Sequence, residues 1–120
     1  MGKFVIRNVP SGVKFDLKAE NGEVIASSEV YSSLAACRRG IESVRKSAAN
    51  GHLEDLTEQP QIACPNPKFQ LFSDRAGLYR FRLRCRNGKI VAISEGYTTK
   101  AACLAGVESV VSNAPDAAME

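Results

Sequence analysis

Two stretches of the chain carry nearly the same order of residues: NGEVIASSEVYSSLAACRRGIESV at 21–44 and NGKIVAISEGYTTKAACLAGVESV at 87–110. The offset of 66 extends as far as Ala48 and Ala114, and 14 of the 28 positions from 21 to 48 are identical. Self-similarity at a fixed spacing indicates one structural unit written twice. The sequence therefore predicts two copies of a small unit, which we call repeat one and repeat two.

Each repeat has the pattern of three strands followed by a helix. The Asn-Gly pairs predict tight hairpin turns, because both central residues of such a turn need positive φ. After each hairpin, apolar or small residues recur at i, i+3, i+4 and i+7, which predicts an amphipathic helix lying on the sheet. The candidate N-caps of these helices are Ser32 or Ser33 and Thr98 or Thr99. Period-two alternation predicts the strands Lys3–Arg7, Val13–Glu20 and Glu23–Ser28 in repeat one, and Lys68–Phe72, Leu78–Arg86 and Lys89–Ser94 in repeat two.

The repeats are predicted to form one domain over residues 1–120, with repeat one at 1–57, a linker at 58–67 and repeat two at 68–120. A unit of about fifty residues buries too little surface to be stable alone without disulfides or metal. We therefore expect the two units to share a core. His52–Thr57 could form a fourth strand of repeat one, whereas the matching segment of repeat two is cut short at the end of the chain.

Composition narrows the class of protein. Hydrophobic residues at 44% and charged residues at 24% are typical of a globular chain. No apolar run is long enough for a membrane span, so a cytoplasmic protein with reduced cysteines and no membrane partner is expected. The chain has no Cys-x-x-Cys, no glycine-rich phosphate loop and one histidine, His52. We therefore expect no metal, no cofactor and no catalytic site, and predict that the protein is not an enzyme.

The combined motif resembles the YegP-like family, a group of small bacterial proteins. The likeness rests on strand, turn, strand, Asn-Gly, strand, Ser-Glu-x-Tyr, and a helix containing Gly-(Ile/Val)-Glu-Ser-Val, and it covers roughly 3–57 and 68–120. The resemblance implies a β-β-β-α-β unit, present as a tandem repeat or as a dimer of single units. It also implies an α+β fold, in which the C-terminal strands are exchanged and the repeats merge into one antiparallel sheet with two helices on one face. It implies no activity, substrate or catalytic residue.

A row of arginines distinguishes repeat two. Arg80, Arg82, Arg84 and Arg86 alternate with inward-facing residues, so their side chains share one strand face at a spacing of ~6.6–6.8 Å. The equivalent positions of repeat one are Lys14, Asp16, Lys18 and Glu20, a mixed row. With help from Lys89, the arginine row could bind an anion or the phosphates of a nucleic acid.

A solvated sheet face is the alternative reading of this row, and the sequence favours it. The predicted register places Arg80 opposite Glu95, Arg82 opposite Ile93 and Arg84 opposite Val91. Arg80 would then form a cross-strand ion pair, and the other two stems would cover apolar surface. Tyr79 and Phe81 point inward under this register, so stacking aromatics interleaved on that face are expected to be lacking, which weakens the case for single-strand binding.

Four further positions are candidate contacts. Leu104 and Val111 replace Arg38 and Arg45 of repeat one, which widens the apolar arc of the second helix. That arc either packs within the molecule or contacts a protein partner, including a second copy of the chain. Tyr31 and Tyr97, just before each helix, either anchor the strand-to-helix turn or contact a ligand.

The function predicted from the sequence is a non-enzymatic binding or protein-interaction module. Its partner would be an unknown protein or a second copy of the chain. An anion or nucleic-acid binder that uses the arginine row is the alternative. The sequence identifies no specific ligand.

Overall fold

The computed structural model describes residues 2–50 and 52–120. The described part of the chain contains eight strands and two α-helices, and no helix in it is long and apolar enough to cross a membrane. In chain order, the elements are β1 (Lys3–Val9), β2 (Gly12–Lys18), β3 (Val24–Ser27), α1 (Leu34–Asn50), β4 (His52–Asp55), β5 (Lys68–Ser73), β6 (Tyr79–Arg84), β7 (Ile90–Ile93), α2 (Lys100–Asn113) and β8 (Ala118–Met119), with a 3-10 turn at Ala114–Asp116 before β8.

All eight strands form one sheet in the order β4-β5-β6-β7-β3-β2-β1-β8. The repeats meet at its centre, where Ser27 of β3 lies opposite Ile93 of β7, a residue 66 positions further along the chain. The last strand of each repeat pairs with the first strand of the other, β4 with β5 and β8 with β1. The predicted α+β fold, with one merged sheet and exchanged C-terminal strands, is therefore confirmed.

The sheet is mixed, however, and not antiparallel throughout. Both exchanged strands run parallel to their partners, whereas the hairpin strands and the central pair are antiparallel. The reason is connectivity, since a tight hairpin can join only antiparallel strands and a parallel pair needs a crossover of a dozen or more residues. Residues 56–67 provide that crossover between β4 and β5.

The helices cover one face of the sheet. The core lies between the helices and the sheet, and equivalent residues of the two repeats fill it. Each repeat has a T-shaped pair of phenylalanines, with ring centroids 5.7 Å apart in repeat one and 6.0 Å apart in repeat two. The largest fully buried side chains are Phe4, Phe15, Leu17, Ile41 and Val44 from repeat one and Phe69, Phe81, Leu71, Leu83 and Val110 from repeat two.

Each helix begins as predicted, with a hydroxyl cap. The Ser33 and Thr99 hydroxyl oxygens each accept a hydrogen bond, at 3.1 Å, from the backbone N–H three residues ahead. The Asn-Gly hairpins also form, but a register irregularity follows Leu17 in repeat one and Leu83 in repeat two. In repeat two the irregularity brings Arg84 opposite Ile90, and not opposite Val91 as alternation alone predicts.

Candidate functional site

The face of the sheet away from the helices, which we call the open face, is strongly basic. Its side chains are those that alternate with the core residues along each strand. Across the middle of the sheet, the open face carries one register row that runs through Asp16, Ser27, Ile93, Arg82, Gln70 and Glu54. The strand cations on this face are Lys3, Arg7, Lys14, Lys18, Lys68, Arg80, Arg82 and Arg84, whereas its strand acids are Asp16 and Glu54.

Two of the predicted arginines converge on one amide. Arg82 Nε and Arg84 Nε each donate a hydrogen bond to Gln70 Oε1, at 2.7 Å in both cases. Arg84 Nη1 also donates to the Gly88 carbonyl at 2.7 Å, which fixes its guanidinium against the hairpin turn. The arrangement holds two guanidinium groups side by side, and we call it the arginine pair.

A buried network holds Gln70 in this position. Gln70 Nε2 donates to Glu54 Oε1 at 2.6 Å, and the other carboxylate oxygen accepts from Lys68 Nζ at 2.9 Å and from the Cys64 backbone N–H at 2.8 Å. The Lys68 hydrogen bond, followed by those of Cys64 and Gln70, lowers the pKa of Glu54 to about 2. Glu54 therefore stays ionised and keeps the Gln70 oxygen directed at the arginine pair.

Arg82 and Arg84 have no acid that balances their charge within the described part of the chain. Among residues 2–50 and 52–120, no carboxylate oxygen lies within 4.0 Å of a guanidinium nitrogen of Arg82 or Arg84. By contrast, Arg80 Nε pairs with Asp74 at 2.8 Å and Arg7 Nε pairs with Asp16 at 2.9 Å. Burial, and then repulsion from Arg84, lower the pKa of Arg82. Two like charges held together in this way leave a local excess of positive charge that an anion would neutralise.

An aromatic ring adjoins the arginine pair. The Arg82 guanidinium lies over the Phe72 ring, 4.7 Å from the ring centroid. The expectation that this face lacks a stacking aromatic is wrong, because Phe72 reaches the face from the neighbouring strand. The signal that would have found it is the alternation of Phe69, Leu71 and Phe72, since the first two face the core.

The other members of the predicted row are placed differently. Arg80 pairs with Asp74 of the preceding turn and not with Glu95 across the strand. The reason is that this turn brings the Asp74 carboxylate beside the start of β6. Arg86 is exposed in the hairpin turn, beyond the end of β6. Lys89 Nζ lies 3.3 Å from a Glu29 carboxylate oxygen. The structure thus brings together Arg82 and Arg84 and separates the rest.

The apolar arc of α2 is divided between core and solvent. Leu104 is partly buried against the core, in accordance with internal packing. Val111 is 44% exposed. Its equivalent in α1, Arg45, instead donates from Nη2 to the Ala117 carbonyl at 2.6 Å and so holds the segment that leads into β8.

The two tyrosines have the contacts of structural anchors. The Tyr31 ring stacks on Phe15 with centroids 6.3 Å apart, and the Tyr97 ring stacks on Phe81 at 6.4 Å. A Cβ added at Gly40 would overlap the Tyr31 hydroxyl, so the helix glycine makes room for this tyrosine. Burial, followed by the charge of Glu29, raises the pKa of Tyr31 to about 12. These contacts support the anchoring alternative.

The cysteines and acids do not assemble into a metal site within the described part of the chain. Cys37 and Cys103 are buried in the core, whereas Cys64 and Cys85 are partly exposed. Burial raises the pKa of Cys103 to about 11, which keeps this thiol protonated.

Comparisons with known proteins identify the family. The sequence model of the family described as a domain of unknown function (DUF1508) matches residues 12–55 and 74–120 of this chain. A UPF0339 protein of Treponema denticola is 50% identical over 52 residues, which cover 43% of this chain and 90% of that protein. A UPF0339 protein encoded in the ptx operon 5' region of Stutzerimonas stutzeri is 32% identical over 117 residues, which cover 97% of this chain and 92% of that protein.

A solved structure has the same fold. The solution NMR structure of the protein of unknown function yegP from E. coli superposes with a TM-score of 0.81 at 26% identity, and the match covers 99% of this chain and 90% of that one. The family model matches most of the chain, and these relatives match it in sequence and in fold. The chain therefore belongs to the DUF1508 family, and the resemblance to YegP-like proteins is confirmed.

Proposed function

We propose that the protein is a non-enzymatic binding module that holds a single-stranded nucleic acid on the open face of its sheet. The observation that carries the proposal is the arginine pair, in which two guanidinium groups share one Gln70 oxygen and have no carboxylate partner among the described residues. A guanidinium group binds a phosphate through charge-assisted hydrogen bonds, often two at once. Each arginine of the pair is therefore suited to one backbone phosphate.

The neighbourhood of the arginine pair supports a strand of nucleic acid over a lone anion. Phe72 offers an aromatic ring beside Arg82, and base stacking on aromatic rings together with a basic groove is the usual basis of single-strand binding. Two further strand cations of the open face have no carboxylate within 4.0 Å among the described residues, so the unbalanced basic surface is longer than one phosphate requires. Lys14 and Lys18 continue it in repeat one.

The test is the salt dependence of binding to a fluorescein-labelled 15-nucleotide oligo(dT), measured by fluorescence anisotropy from 50 to 300 mM NaCl. For single strands, the slope of log affinity against log salt changes by about 0.7 for each phosphate contact. We expect the double variant Arg82→Ala/Arg84→Ala to have a slope shallower by about 1.4 and to bind more weakly at 50 mM salt.

Arg38→Ala/Arg39→Ala is the matched control, since it removes the same two charges from exposed positions of α1. We expect its slope to stay within about 0.3 of that of the unmodified protein. Equal loss of affinity in both double variants, or no binding by the unmodified protein at 50 mM salt, would contradict the proposal.

Self-association is a second candidate function, favoured by the apolar surface at the β4 edge. Leu53 is 42% exposed and Ile62 of the linker is 78% exposed, and the Cys64 sulfur lies between their carbonyl oxygens, at 3.5 and 4.0 Å. Light scattering coupled to size exclusion tests it. A concentration-dependent dimer that Ile62→Asp abolishes is expected, and a monomer at 500 µM would contradict it.

A further inference from the structure

One cleft of the described molecule lies on the helix side of the sheet, whereas the arginine pair lies on the open face. It has a volume of about 880 Å³ and opens between the C-terminal half of α1 and the hairpin turn after β6. Pockets for small molecules span roughly 300–1,000 Å³, so this cleft is large enough for one. The side chains that matter in it are those of Lys46, Ser47, Asn66, Cys85, Arg86 and Asn87.

The other repeat contains the equivalent cleft, which serves as an internal reference. It lies between the C-terminal part of α2 and the turn after β2, and its volume is about 410 Å³. With the offset of 66, three lining positions differ in chemistry: Lys46 stands where the reference cleft has Ser112, Cys85 where it has Ala19, and Arg86 where it has Glu20. One cleft has therefore gained two cations and lost an acid, while the surrounding fold is the same.

A fourth position contributes to the difference in volume. Ser47 of the larger cleft corresponds to Asn113 of the smaller one. The longer Asn113 side chain folds back along α2, and its Nδ2 donates to the Ser109 carbonyl at 2.8 Å. The shorter Ser47 leaves that volume open beside Lys46.

We propose that the larger cleft binds a small phosphorylated polyol, with the phosphate held between Lys46 and Arg86. A lysine ammonium supplies a compact positive charge and an arginine guanidinium a planar pair of donors, and the two together suit a phosphate dianion. The Asn66 and Asn87 amides and the Ser47 hydroxyl offer donors and acceptors for the hydroxyl groups of the ligand. The proposal does not depend on nucleic-acid binding, because the two sites lie on opposite sides of the sheet.

Cys85 provides a local reporter for this site. Its thiol donates to Asn87 Oδ1 at 2.9 Å on the wall of the cleft. Cys37 and Cys103 are buried, so in a Cys64→Ser background Cys85 is the accessible thiol of the folded protein. Iodoacetamide is uncharged, so the cations of the cleft do not attract the reagent itself. Because the thiolate is the reacting form and responds to nearby charge, rates with and without each probe are compared within the same variant.

The experiment compares the alkylation rate of Cys85, followed by intact-protein mass spectrometry, with and without 10 mM ribose 5-phosphate, ribose or inorganic phosphate. We expect ribose 5-phosphate to slow alkylation at least threefold, inorganic phosphate to slow it less, and ribose to leave it unchanged. In Arg86→Glu, which introduces the acid of the reference cleft, the protection should disappear. In Arg75→Glu, which makes the same charge change at the opposite end of β6, it should persist.

Two results would overturn the proposal. One is an alkylation rate that none of the three probes changes in a protein whose circular dichroism shows it to be folded. The other is equal protection in Arg86→Glu and Arg75→Glu. Protection by inorganic phosphate as strong as that by ribose 5-phosphate would overturn the polyol part of the proposal. Because the readout is Cys85 itself, failure here is distinguishable from failure to bind oligo(dT).

Discussion

Replacing Glu54 with Gln tests whether the buried network beneath the arginine pair is stabilising. The Glu54 side chain is almost fully buried, and its two oxygens accept hydrogen bonds from Lys68, the Cys64 backbone and Gln70. A glutamine has one acceptor oxygen and one NH₂ group, so the NH₂ group must face a donor on one side. Glu54→Gln therefore removes the charge partner of Lys68 and leaves at least one buried donor without an acceptor.

The magnitude follows from the pKa. The Lys68, Cys64 and Gln70 hydrogen bonds lower the pKa of Glu54 from 4.5 to about 2. At 1.36 kcal/mol for each pKa unit, this corresponds to at most about 3 kcal/mol of folding stability at pH 7, or about 2 kcal/mol after allowance for solvent screening. Because the folded-state pKa is the lower one, this stability is fully present above pH 4.5 and is lost as the pH falls towards 2.

Urea unfolding at pH 7, 5, 4 and 3 measures the effect, with Glu108→Gln as the control at an exposed acid of α2. We expect Glu54→Gln to be less stable than the unmodified protein by about 2 kcal/mol at pH 7 and by about 1 kcal/mol at pH 3. Glu108→Gln should stay within about 0.5 kcal/mol at each pH. A Glu54→Gln deficit that is the same at pH 7 and pH 3, or one below about 0.5 kcal/mol at pH 7, would refute the reasoning.

Two further predictions concern packing and strand exchange. Gly40→Ala should lower the free energy of unfolding by about 1–2 kcal/mol, although alanine is the better helix former, because the added Cβ would overlap the Tyr31 hydroxyl. Adding Tyr31→Phe to this variant should recover part of the lost stability, as measured by thermal unfolding. Deleting residues 118–120 removes at least three backbone hydrogen bonds to β1 and its flank, so urea unfolding should show a loss of about 2 kcal/mol. Met119→Ala keeps the backbone and should cost under about 0.5 kcal/mol. A rescue that fails, or a deletion as mild as Met119→Ala, would count against these assignments.

The elements that the sequence predicted well are those specified by local signals. The turn at Asn87-Gly88 depends on two adjacent residues, and the caps Ser33 and Thr99 act on backbone groups three residues ahead. The helix stripe likewise depends on spacing within a few turns. Such features can be read from one stretch of chain, and the structure contains them. The merged sheet was expected because of the family resemblance, since no local signal specifies which edge a fourth strand joins.

The candidate site was only partly accessible from the sequence because its geometry depends on neighbours from other strands. Gln70 reaches the arginine pair through the β5–β6 register, and Glu54 reaches Gln70 through a parallel pairing that follows a helix and a crossover. Asp74 neutralises Arg80 from a turn that is one residue longer than its counterpart in repeat one. A count of charges along β6 therefore treats Arg80 and Arg82 alike. In the structure, the Asp74 carboxylate balances the charge of Arg80, whereas no carboxylate among the described residues balances that of Arg82.

Joining the two repeats through residues 56–67 frees each half from the symmetry of the other. Two identical half-length chains that exchanged strands in this way would carry every substitution on both sides of a twofold axis. In the single chain, arginines occupy positions 82 and 84 while the equivalent positions keep Asp16 and Lys18. The tether also makes the encounter of the halves intramolecular, at an effective concentration on the order of millimolar for a short linker. Repeat two can thus change in sequence while repeat one, unchanged, still supplies the other half of the sheet.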